Sequence, residues 1–138
     1  MCKEFSFNWP VRVYYEDTDA GGVVYYANYL KFYERARTEA LRAAGFSQET
    51  LRNEENTIFV VSNINVSYRR PARLDDKLIV SLNIIKMARS YLIFQQQITC
   101  DDLLLSTAEV KVACVNADTM KPCQIPAQMQ EKLTSLTV

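Results

Sequence analysis

Three observations predict an α+β chain. One stretch near residue 30 repeats its apolar residues at helical spacing. Four later stretches alternate with a period of two, and the links between those stretches are short. Short links favour an antiparallel sheet, and a single long helix then has to cover one of its faces. At 138 residues the expectation is a single domain, 1–138, long enough to bury a sizeable core.

Taken in order, Phe5, Phe7, Trp9, Val11, Val13 and Tyr15 share one parity, with Ser6, Asn8, Arg12 and Glu16 on the other. That pattern predicts a half-buried strand, with Pro10 pointing to an edge or an early break. A loop, Asp17-Thr18-Asp19-Ala20-Gly21-Gly22, holds two of the three glycines in the chain. Leu30, Tyr33, Ala36 or Arg37, Ala40, Leu41 and Ala44 then predict a helix from about Asn28 to Ala44. Asn28 serves as its N-cap, and Gly45 with Phe46 as a Schellman-type stop. Lys31–Glu34, Glu34–Arg37 and Arg35–Glu39 are placed on its wet side. Ser47 caps a short second helix ending near Glu55.

From Ile58 the period is two. Ile58, Val60, Ile64, Val66 and Tyr68 are expected on one face of a strand. Leu78, Val80, Leu82 and Ile84 follow in a second, Leu92, Phe94, Gln96 and Ile98 in a third, and Ala108, Val110, Val112 and Cys114 in a fourth. Turns fall at Arg70-Pro71-Ala72, between Met87 and Ser90, and at Asp101-Asp102. The tail from Pro122 to Val138 is read as an irregular piece and a last helix. A sheet covered by one helix leaves an edge or face for another copy, so a homo-oligomer is expected, taken as a dimer of dimers.

Composition narrows the chemistry. Sixteen Lys+Arg balance sixteen Asp+Glu, which argues against a nucleic-acid or membrane-surface binder. There is no His, which excludes Ser-His-Asp and Cys-His catalysis and His-ligated zinc. Cys2, Cys100, Cys114 and Cys123 form no CxxC pair and are read as reduced structural thiols. Neither a signal peptide around Lys3 and Glu4 nor a transmembrane segment is expected, so the expected location is cytoplasmic.

The cluster with chemical potential is Glu16, Asp17 and Asp19 beside Gly21 and Gly22. One reading is an acidic turn favoured by the positive end of the helix. The other makes Asp19 a nucleophile or general base, with N–H groups near the helix head as an oxyanion site and the glycines letting substrate approach. An EF-hand is excluded because its fifth and twelfth positions would be Gly21 and Asn28.

The stretch WPVRVYYEDTDAGGVVYYANYLKFYERARTEALRAAGFS resembles the hotdog-fold acyl-CoA thioesterases, most nearly the Tol–Pal-associated YbgC type, with 4-hydroxybenzoyl-CoA thioesterase more distant. The likeness continues through FVVSNINVSYRRPARLDDKL and AEVKVACVNADTMKP. It implies a curved antiparallel sheet wrapped around one long helix, and hydrolysis of acyl-CoA or acyl carrier protein thioesters in lipid metabolism. By the same resemblance Asp19 matches the catalytic carboxylate, and the Tyr26 N–H matches the group that polarises the thioester carbonyl. Asp17 matches a structural neighbour. Gly22 and, from a partner subunit, Val60, Val61 and Ser62 would contact substrate, with Arg89 and Ser90 at the nucleotide. No metal or cofactor is implied, coenzyme A being part of the substrate. The YbgC type usually carries His where this chain has Tyr26, while the 4-hydroxybenzoyl relatives carry Tyr. A non-catalytic thioester-binding or scaffold module is the alternative; a hotdog dehydratase is disfavoured because it needs His.

Overall fold

The computed structural model describes residues 5–137; Cys2, Lys3 and Glu4, and with them the reading of the extreme N-terminus, lie outside it. Five strands, β1 (Phe7–Arg12), β2 (Thr57–Tyr68), β3 (Lys77–Met87), β4 (Tyr91–Cys100) and β5 (Leu103–Asn116), form one antiparallel sheet in the order β1-β3-β4-β5-β2. Three helices accompany it, α1 (Ala27–Ala43), α2 (Gln48–Glu55) and α3 (Ala127–Leu133). This is the curved sheet around a long helix that the hotdog resemblance implies, and α+β holds.

The alternation in β3, β4 and β5 has its expected consequence. Leu78, Val80, Leu82, Ile84, Leu92, Phe94, Gln96, Ile98, Ala108, Val110, Val112 and Cys114 are all buried. Against them α1 presents Tyr29, Phe32, Tyr33, Ala36, Arg37, Ala40 and Leu41, also buried. Ala36 and Ala40 let the helix lie close, and Ile125, Met129, Leu133 and Leu136 from the tail close the core. The helix ends in a Schellman motif: Phe46 N–H donates to the Leu41 carbonyl and Gly45 N–H to that of Arg42, both at 2.9 Å, with Gly45 at φ 98°.

Four expectations are corrected. The first strand stops at Arg12; Tyr15 opens a 3-10 turn (Tyr15–Asp17) and is exposed. Asn28 is not the N-cap, because Tyr26 holds that place and the Asn28 side chain acts as a donor, its Nδ2 reaching the Asp17 carbonyl at 2.9 Å. Arg37 is buried rather than on the wet side, and Leu30 is exposed; the apolar stripe runs through Tyr29 and Phe32 instead.

The fourth concerns β2. A bulge between Val61 and Asn63 shifts its register against β5, so Phe59 opposes Cys114 and Val61 opposes Val112 while Ile64 opposes Val110. Since residues facing each other across a ladder share a face, Phe59 and Val61 join Ile64 and Val66 on the helix side. Ile58 and Val60 turn to the opposite face. Simple parity fails at that one extra residue.

Candidate active site

The loop after β1 is tied down by its own backbone. Asp17 accepts the Tyr14 N–H on Oδ2 at 2.9 Å, and its carbonyl takes the Tyr25 N–H and the Asn28 side chain. Its carboxylate is thus occupied in closing the turn. Asp19 sits differently. Its N–H donates to the Val23 carbonyl at 2.9 Å and its carbonyl receives the Gly22 N–H at 3.1 Å, making a tight turn in which Gly22 has φ 79°. The exposed Asp19 carboxylate is held on one oxygen only, Oδ1, by the Gly21 N–H at 2.8 Å. The second oxygen has no protein partner among the described residues.

Eight residues after Asp19, α1 begins. Its first N–H groups have no intrahelical acceptor, and Asn28 and Tyr29 use theirs on the carbonyls of Tyr25 and Tyr26. The Tyr26 and Ala27 N–H groups are left without an acceptor among the described residues. The positive end of a helix and two unspent donors therefore lie on the same short segment as the Asp19 turn, a setting that stabilises negative charge.

Aromatic residues buttress this helix head. The Tyr26 ring stacks on Tyr25 at 5.0 Å and meets Tyr68 edge-on at 5.8 Å; Tyr68 in turn meets Tyr29 at 5.2 Å. Tyr68 Oη donates to the Tyr26 carbonyl at 3.1 Å, and Tyr29 Oη accepts the Ala72 N–H at 2.8 Å. Burial raises the hydroxyl pKa of both Tyr29 and Tyr68, so each stays protonated. Sequence reading missed Tyr68 and Asn28 as supports of the site; their pairing spans 42 and 11 residues, which periodicity does not report. A cavity of about 290 Å³ opens beside Tyr26, bounded by Val24, Tyr29, Tyr68, Arg69, Arg70 and Pro71.

The structure brings Asp19, Gly22 and Tyr26 together on one loop and helix head, but not the remaining predicted site residues. Val60, Val61 and Ser62 lie six to eight residues back along β2 from Tyr68, about 20–27 Å at some 3.4 Å per residue. Arg89 and Ser90 lie in the β3–β4 turn, where Ile125 N–H bonds the Arg89 carbonyl and Cys114 N–H the Ser90 carbonyl. The Asp19 loop leaves β1 where Arg12 pairs with Lys77, at the other end of β3, about 35 Å away along an 11-residue strand.

Residues 13–133 match the family described as the thioesterase-like superfamily. The chain belongs to that family. Among curated relatives, it is 48% identical over 125 residues to the Haemophilus influenzae acyl-CoA thioesterase YbgC, covering 91% of this chain and 92% of that one. It is 54% identical over 121 residues to an Escherichia coli acyl-CoA thioester hydrolase YbgC, covering 87% and 90%. Among solved structures, a probable thioesterase from Bartonella henselae superposes with TM-score 0.83 at 35% identity, covering 86% of this chain and 98% of that one. A Synechocystis 1,4-dihydroxy-2-naphthoyl-CoA thioesterase superposes with TM-score 0.87 at 23% identity, covering 94% and 96%, a likeness of fold.

Proposed function

We propose that this protein hydrolyses acyl-CoA, and by extension acyl carrier protein thioesters, to a free acid and a thiol. The observation that carries this reading is the Asp19 carboxylate, held on one oxygen by Gly21 N–H, seven residues before a helix head with unspent Tyr26 and Ala27 N–H donors. The thioester oxygen binds at those donors, which stabilise the negative charge that develops as the carbonyl carbon becomes tetrahedral. Asp19 either takes a proton from the attacking water or attacks the carbon itself, giving an anhydride that water opens. In both routes the C–S bond breaks, coenzyme A leaves as thiolate and is protonated, and Asp19 returns to its carboxylate. Backbone donors suffice for the oxyanion, so Tyr in place of the family's usual His leaves this route open. The chemistry asks for no metal or cofactor.

The site is shared between copies in this reading. β2 is an edge strand, free to pair with a second copy. Antiparallel pairing of β2 with its copy lays the partner's Val60, Val61 and Ser62 alongside the Val66–Tyr68 end of this strand, next to the Tyr26 cavity. Arg89 and Ser90, beyond the end of β3 far from the Asp19 loop in their own chain, reach a nucleotide only from another copy. Arg69 and Arg70 border the Tyr26 cavity directly and are ready partners for the coenzyme phosphates. A dimer of dimers, a cytosolic location and a role in lipid metabolism fit this reading.

The test is thiol release from short, long and aromatic acyl-CoAs by the parent protein and by Asp19→Asn. A loss of about 100-fold or more supports Asp19 as the catalytic group. Undiminished release would refute the assignment, and binding without any release by the parent would leave a thioester-binding module.

A further inference from the structure

Arg37 makes no ion pair among the described residues. It is 8% exposed, held between α1 and the sheet, and its one hydrogen-bond acceptor among the described residues is the neutral Gln96 Oε1, at 2.9 Å from Nη1. Gln96 is itself fixed by donating to the Tyr33 carbonyl at 3.1 Å, so the acceptor is rigid. Among the described residues no carboxylate lies within 4 Å of Arg37, and the ion pair found there is Arg42–Glu39. Loss of water around the guanidinium lowers its pKa to about 10, Glu34 opposing that shift. A guanidinium has five N–H donors, and no buried polar side-chain atom among the described residues lacks a partner, so the donors that Arg37 does not spend on Gln96 keep some access to solvent.

Arg37 borders a cavity of about 280 Å³ between α1, α2 and the sheet. Leu41, Phe59, Val61, Leu92, Phe94 and Val112 make its wall apolar, while Glu34, Thr38 and Gln48 are its other polar lining groups. The β2 bulge supplies two of those walls, by turning Phe59 and Val61 inward. At about 30 Å³ per non-hydrogen atom the cavity has room for roughly nine such atoms.

We infer that this cavity binds a short amphipathic carboxylate, its chain against the apolar wall and its carboxylate on the Arg37 guanidinium. Two sources share that chemistry. One is the free acid that thioester hydrolysis releases; the other is the distal carboxylate of a dicarboxylic acyl group. Exposed Glu34 faces the same cavity, and its charge opposes an anion there, which makes it a useful control. Only the choice of source rests on the thioesterase reading.

Calorimetric titration of the full-length protein with hexanoate, and with hexan-1-ol as the neutral match, tests the site. Hexanoate is expected to bind at least tenfold more tightly than the alcohol. Arg37→Met is expected to remove that preference, and Glu34→Gln to strengthen hexanoate binding. Should Arg37→Met fail to fold, Val61→Trp fills the cavity from a half-exposed strand position and is expected to abolish binding of both compounds. Equal affinity for acid and alcohol, or hexanoate binding unchanged in Val61→Trp, would overturn the site. Hydrolysis of adipoyl-CoA against hexanoyl-CoA then separates the sources: an Arg37-dependent preference for adipoyl-CoA assigns the distal carboxylate, and its absence assigns the free acid. Carboxylate binding without hydrolysis would refute the thioesterase reading and keep the site. Hydrolysis without carboxylate binding would do the reverse.

Discussion

The two glycines of the Asp19 turn make opposite demands, and alanine at each separates stability from site geometry. Gly22 has φ 79°, and a Cβ built there meets nothing within 4 Å. The whole cost of Gly22→Ala is therefore backbone strain, about 1–2 kcal/mol for a non-glycine residue in the left-handed region. Unfolding entropy near 2.1 cal/mol/K per residue gives a 138-residue chain about 0.29 kcal/mol/K, so the melting temperature should fall by roughly 3–7 °C. Gly22→Asn, which tolerates that conformation, should recover most of the loss. At Gly21 the backbone needs no positive φ, but an added Cβ would sit 3.3 Å from Asp19 Oδ1. The carboxylate, an exposed side chain, has to give by a few tenths of an ångström. Gly21→Ala should thus melt within about 2 °C of the parent yet release thiol severalfold more slowly, since misplacement of about 1 Å costs on the order of 100-fold. Differential scanning fluorimetry at fixed protein concentration and a thiol-release assay read the two quantities. A Gly22→Ala protein as stable as the parent, or a Gly21→Ala protein that loses stability but not rate, would refute the reasoning.

Other consequences follow from the same geometry. Phe94→Ala removes a ring that is 2% exposed and should destabilise by about 3–5 kcal/mol in urea unfolding. Tyr68→Phe deletes the hydroxyl that anchors the Tyr26 carbonyl; its surface position predicts a stability loss of about 1 kcal/mol or less together with slower thiol release. Mixing Asp19→Asn with Val60→Trp subunits should restore activity above either parent pool, because a mixed dimer holds one site with neither lesion; no recovery would mean that each site lies within one chain. Burial pushes the Cys114 thiol up to about 12, with Cys123 at 3.6 Å adding to the shift. At pH 8 iodoacetamide should therefore label Cys123 before Cys114, as peptide mass spectrometry would show. The sign for stability follows: the unfolded thiol loses its proton from about pH 9 while the folded one keeps it. Chemical denaturation should thus show stability falling between about pH 9 and pH 12, less so in Cys114→Ala.

Local pattern alone determined most of the fold. The alternation of β3, β4 and β5, the Ser47 cap of α2 (Thr50 N–H to Ser47 Oγ, 3.1 Å) and the Gly45–Phe46 stop depend on neighbours within a few residues, where sequence and geometry map directly onto each other. The Asp19 loop was legible too, because glycine enrichment and an acidic pair leave a local mark. Only tertiary structure decided three matters. The bulge at Ser62 put Val61 rather than Val60 on the face of Ile64, because register against β5 is a long-range property that parity cannot see. Arg37 reads as a solvated helix charge in sequence, yet packing against Gln96, 59 residues away, buries it at the wall of a cavity. Asn28 looks like a cap acceptor, but the approach of the Asp17 carbonyl makes it a donor. In each case the residue's type was plain from the chain, and the partner that gives it a role lay on an element that only folding brought near.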